Sequence, residues 1–111
     1  MAYDKNLAAR MQKILDDLNP SALTDKKMFG GVAYLVRGNM ACGVHKDELI
    51  VRVGNEGFVD ALYRPGARPF DMTGKPMNGW VIVKPTGFET NQALREWILL
   101  GLDYSRSLPA K

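Results

Sequence analysis

Between Gly30 and Gly54 the chain reads GGVAYLVRGNMACGVHKDELIVRVG. Short β-branched and apolar runs alternate there with two-residue polar breaks, and this pattern leaves few folds open. Gly38-Asn39 separates Val32–Arg37 from Met40–His45, and Lys46-Asp47 separates that run from Glu48–Gly54. Breaks of that length join neighbouring antiparallel strands, whereas parallel strands need a long crossover. The stretch therefore predicts an antiparallel meander opened by Gly30-Gly31, which supplies backbone freedom at the strand entry.

The flanks supply helices and further strands. Leu7, Met11, Ile14, Leu15 and Leu18 form one apolar stripe at helical spacing. Asp4 is placed to cap that helix, and Asn19-Pro20 ends it, because the residue before proline resists helical geometry. Thr24-Asp25-Lys26-Lys27 reads as a polar connection. After the meander, Asn55-Glu56 caps a short helix that buries Phe58, Val59 and Leu62 and ends at Arg64-Pro65-Gly66. Ala67–Met72 reads as a short strand turned back by Thr73–Pro76. Trp80–Lys84, β-branched and aromatic, is a central strand. Thr90 caps a last helix whose stripe is Leu94, Trp97, Ile98, Gly101, Tyr104, Ser105 and Leu108. Gly101 costs that helix about 1 kcal/mol relative to alanine, which implies close approach to another backbone. The expected order is α-β-β-β-α-β-β-α, an α+β domain with helices flanking one antiparallel sheet.

Cys42 and His45, each the sole member of its type, stand three apart in the meander. Side chains alternate across a strand, so the two point to opposite faces and no cysteine–histidine dyad forms. A zinc site needs at least three protein ligands, and no further cysteine or histidine exists to supply one. With Gly38-Asn39 as the turn, Leu35 faces Cys42 and Tyr34 faces Gly43; in the next hairpin Cys42 faces Val51 and Gly43 faces Ile50. One face then reads Ala33, Leu35, Met40, Cys42, Val44, Leu49, Val51 and Val53, a core in which Cys42 is a small buried hydrophobe. The other reads Val32, Tyr34, Val36, Ala41, Gly43, His45, Ile50 and Arg52. Two readings of this second face stay open: a helix covers it, or it is a protein interface centred on Tyr34, Gly43, Ile50 and Arg52.

With 111 residues the chain makes one domain able to bury its own core. The longest uncharged apolar run, Trp97–Leu102, is too short to span a bilayer. No basic segment followed by an apolar one opens the chain, and a lone cysteine forms no internal disulfide, so the cytoplasm is the expected compartment. The formal charge is +3, but the basic residues are scattered, which reads first as a solvated mixed surface. A folded patch of Arg52, Arg64, Arg68 and Lys75 would still offer an anion or nucleic-acid contact. Neither GxxxxGK[ST] nor GxGxxG is present. Asp16-Asp17 and Asp47-Glu48 read as solvated pairs, and Ser105 and Ser107 have no neighbouring histidine. No catalytic residue, metal ligand or cofactor is expected.

Four segments, KMFGGVAYLVRGNMACGV (27–44), DELIVRVG (47–54), ARPFDMTGKPMNGWVIV (67–83) and WILLGLDYSRSLPAK (97–111), resemble the N-terminal domain of the TfoX/Sxy family, named for bacterial regulators of natural competence. The Met-Phe-Gly-Gly and Pro-Met-x-Gly motifs, in this order, carry the resemblance across nearly the whole chain. It implies an α+β sheet domain of the type seen in secretion chaperones, in a single-domain member lacking the family's C-terminal helical domain. The family's regulation involves the cyclic-AMP receptor protein, and the resemblance supplies no catalytic residues. The expectation is a small cytoplasmic regulatory module acting through protein contacts. Phe29, Trp80 and Trp97 anchor its core, and Gly30, Gly31, Gly79 and Gly101 serve backbone geometry. A homodimer through the outer face is expected, and the alternative to a protein-binding function is weak nucleic-acid binding through the basic patch.

Overall fold

In a computed structural model, residues 3–20, 22–28, 31–70 and 77–109 are described. Phe29, Gly30 and residues 71–76, where a turn is expected and which include Lys75, lie outside them. Helix α1 (Lys5–Leu18) is followed by strands β1 (Leu23–Met28), β2 (Gly31–Val36), β3 (Asn39–His45) and β4 (Glu48–Arg52). Helix α2 (Gly54–Leu62), strands β5 (Ala67–Phe70) and β6 (Met77–Val83), a single 3₁₀ turn and helix α3 (Asn91–Arg106) complete the chain. The six strands form one antiparallel sheet in the order β1-β2-β3-β4-β6-β5.

The α+β class and the order of elements are as expected, with one strand added. The polar segment expected to be a connection lies in β1, an edge strand that pairs along its whole length with β2 and, among the described residues, with no other strand. Thr24 to Lys27 are exposed, so β1 has no buried face to impose alternation on its sequence. Its strand character comes from pairing.

Caps behave as their residue types dictate. The Asp4 carboxylate accepts from the Asn6 and Leu7 amides, and Asn19 ends α1 in the left-handed region at φ 47°. The Thr90 hydroxyl accepts from the Ala93 amide at the start of α3. α2 departs from expectation. It begins at Gly54, its N-cap position is Val53, and no side chain caps it.

All three helices lie on one face. Leu7, Met11, Ile14 and Leu15 of α1, Ala61 of α2, and Leu94, Trp97, Ile98 and Leu102 of α3 share one core with Val32, Tyr34, Val36, Cys42, Val44, Leu49, Val51, Val81 and Val83. Trp97 is 2% exposed and donates its indole N–H to the Gly87 carbonyl at 3.2 Å, so its polar atom is satisfied inside the core. α3 packs tightly on β3: a Cβ at Gly101 would lie within 2.3 Å of the Ala41 carbonyl oxygen. That contact is the reason for a glycine in the helix interior. Ser105, fully buried beside it, donates its hydroxyl to the Met40 carbonyl at 3.0 Å.

Candidate interaction face

Register decides which residues share a surface. The first hairpin turns at Arg37-Gly38, one residue earlier than expected, with Val36 opposite Asn39. Both turn residues have positive φ, 51° and 84°, the geometry that follows the twist of two adjoining strands. The ladder then slips between Tyr34 and Leu35, so that Tyr34 faces Cys42 rather than Gly43, and Leu35 faces Met40. The second hairpin holds as expected, Cys42 against Val51 and Gly43 against Ile50.

This bulge corrects the expected faces on β2. Val32, Tyr34 and Val36 belong to the helix-covered core, whereas Leu35 is outside it and half-buried. Tyr34 is 3% exposed and reaches the Ala8 carbonyl of α1 at 3.4 Å. Burial, with Cys42 and Asp25 adding to it, pushes its hydroxyl up to about 12. It is no part of an outer row with Gly43 and Ile50, and a dimer centred on it loses its centre.

On the helix-free face, Ile50, Phe70 and Ile82 form a second small cluster, with Met40 and Trp80 packed against it. Phe70 meets Trp80 edge-on at 6.0 Å between centroids, the arrangement that aromatic quadrupoles favour. Gly43 belongs to this surface. A Cβ there would sit 2.7 Å from the Val32 carbonyl oxygen and 3.0 Å from the Met40 methyl, so the missing side chain lets Met40 lie over the strand.

Charged groups border the cluster. The Arg52 guanidinium lies 5.2 Å from the Trp80 ring centroid and 5.3 Å from that of Tyr104, a double cation–π seat. Among the described residues it has no carboxylate partner. Arg68 makes a forked contact with Glu48, at 2.6 and 3.0 Å. That hydrogen bonding holds the Glu48 carboxyl below its ordinary value, against the opposing effect of partial burial. Arg64 points elsewhere, 5.5 Å from the Trp97 ring and 3.4 Å from Glu96. The four-residue basic patch is thus not assembled by the described residues: Arg52 and Arg68 share a face, Arg64 does not, and Lys75 lies outside them.

Catalytic geometry is no better served. Cys42 is fully buried, and burial pushes its thiol up to about 12. His45, three residues along the same ladder, turns to the opposite face and stands across from Glu48. A cleft of about 560 Å³ opens between the start of α2 and the last turns of α3. Ser107 lines it and donates its hydroxyl to the Tyr104 carbonyl at 2.6 Å. Among the described residues no group of three potential ligands is placed to hold a metal ion, and no helix is long and apolar enough to cross a membrane.

Sequence reasoning found Gly43, Ile50 and Arg52 but missed Met40, Phe70, Trp80 and Ile82 as members of one surface. Trp80 was expected in the core, yet β6 alternates Val81 and Val83 under the helices with Trp80 and Ile82 outside. The signal lay in pairing β6 with β4, which places Arg52 opposite Trp80 and Ile50 opposite Ile82. No curated protein and no solved structure matches the chain. Residues 13–105, most of its length, match the model of the TfoX N-terminal domain, and the chain belongs to that family.

Proposed function

We propose that this domain is a cytoplasmic regulatory module that works by binding another protein on the helix-free face of its sheet. The observation that carries the reading is the inequality of the two faces. One is closed by three helices over a continuous core; the other carries a second, smaller cluster of buried Ile50, Phe70 and Ile82 with half-buried Leu35, Met40 and Trp80 around it, and among the described residues no helix packs over it. Contiguous apolar surface with a charged border marks protein-binding sites. Arg52, held between two rings and without a carboxylate partner among the described residues, supplies a cation already positioned for an acidic group on the partner, at little further ordering cost. Membership of a family named for regulators supports the class of function. Binding rather than catalysis agrees with the buried, unactivated thiol.

Nucleic-acid association has weaker support, because Arg68 is engaged by Glu48 and Arg64 stands on the helix side. The test is photo-crosslinking in native cell extract. A benzophenone side chain at Leu35 should capture a discrete protein that the same group at Tyr63, the C-cap residue of α2 and 85% exposed, does not. Capture from Tyr63 alone, or from neither position, would move the function off this face.

A further inference from the structure

The two edges of the sheet are built differently. β5 is four residues long, carries Pro69, and shifts register against β6 between Pro69 and Phe70. A proline without an N–H and a bulge are both devices that blunt an edge. β1 has neither. Its six residues pair with β2 in unbroken register from Leu23↔Val36 to Met28↔Gly31.

The phase of its free groups follows from one bond. The Arg37 amide donates to the Ala22 carbonyl at 3.2 Å. Bonded and non-bonded pairs alternate along an antiparallel ladder. Thr24, Lys26 and Met28 therefore turn their backbone groups to β2, and Leu23, Asp25 and Lys27 turn theirs outward. The β2–β3 hairpin gives the same phase, since Val36 closes its two-residue turn with Asn39 and so bonds away from β1. Among the described residues no other strand pairs with β1.

We propose that β1 pairs antiparallel with β1 of a second copy, in the register that sets Asp25 opposite the partner's Lys27. A two-fold axis normal to the sheet keeps the helices of both copies on one side, so outward-bonding residues must meet outward-bonding residues. Centring the axis on Asp25 would oppose two carboxylates, and centring it on Lys27 would oppose two ammonium groups. Centring it on Lys26 opposes Asp25 to Lys27 twice, and each of those pairs exchanges both backbone hydrogen bonds. Lys26 then faces its own counterpart on the other side of the sheet, where the long stems can splay and keep both charges in water. Edge lysines ordinarily discourage pairing; of these three registers, the one centred on Lys26 alone sets unlike charges opposite each other. The joined sheet runs through both copies and leaves the helix-free face of each clear of the other, so the inference stands apart from the proposed partner site.

Sedimentation across the micromolar range tests it with exposed positions whose substitution leaves the core untouched. Wild type is expected to be dimeric. Asp25→Lys, and separately Lys27→Asp, should each raise the dissociation constant about tenfold or more. The exchange Asp25→Lys with Lys27→Asp should restore it, with circular dichroism unchanged throughout. A monomeric wild type would overturn the proposal, even one that takes up a foreign acidic peptide along β1. So would single variants as dimeric as wild type, or an exchanged variant that stays monomeric.

Discussion

Cys42 shows what strand parity can and cannot say about a single residue. Within β3 and β4 parity is enough: it separates Cys42 from His45 and pairs Cys42 with Val51. Across the first hairpin it fails, because one bulge moves Tyr34 from the outer face to the core. A bulge costs one residue of register and leaves no mark in a run where both faces are apolar. Two predictions belong here. A thiol reagent should label Cys42 slowly in the native state and quickly in denaturant, and Cys42→Ala should cost about 1 kcal/mol in denaturant melts. The raised thiol gives stability that is complete below its ordinary value of 9.0 and lost as the pH climbs toward about 12; the Tyr34 hydroxyl, raised from 10.0, acts in the same direction. Stability should therefore fall through that alkaline window. Tyr34→Glu, which would have split a dimer centred on the outer face, is instead expected to unfold the domain by burying an unpaired carboxylate.

At the level of elements, legibility followed burial. α1 and α3 were readable because each lays a wide apolar stripe on the sheet and carries a side-chain cap. β1 was not readable because an edge strand with both faces wet needs no pattern at all. α2 was half readable: Phe58 and Leu62, four apart, pack against the core, while Val59 lies a hundred degrees round the helix and is 59% exposed. Two helix glycines separate packing from propensity. Gly101→Ala gains helix propensity but drives a methyl group into the Ala41 carbonyl, and should lower stability by about 1–3 kcal/mol. Gly57→Ala meets nothing nearer than 3.8 Å and should raise stability by up to about 1 kcal/mol. Thermal melts of the two variants should move in opposite directions.

The whole molecule is a sheet with the main core under its helices on one face and a smaller buried cluster, edged by half-buried Leu35, Met40 and Trp80, on the other. Its class and the order of its elements followed from hairpin spacing and helical stripes. The composition of the helix-free face did not, because Arg52–Trp80 and Ile50–Ile82 come together only through the long-range pairing of β4 with β6, with α2 and β5 intervening. The basic residues illustrate the same limit, since pairing and stacking, invisible along the chain, send Arg64 and Arg68 to different neighbours. DNA binding should accordingly stay within the nonspecific range, about 10⁻⁴ to 10⁻⁶ M at physiological salt.

The most direct test of the helix-free face as the working surface is the affinity of the crosslinked partner for three forms of the domain, measured by calorimetry: wild type, Arg52→Glu, and Tyr63→Glu at the exposed C-cap of α2. Arg52→Glu is expected to weaken binding by about tenfold or more, with the fold intact by circular dichroism, while Tyr63→Glu binds as wild type does. Equal affinity of Arg52→Glu and wild type, or a loss confined to Tyr63→Glu, would contradict that role of the face.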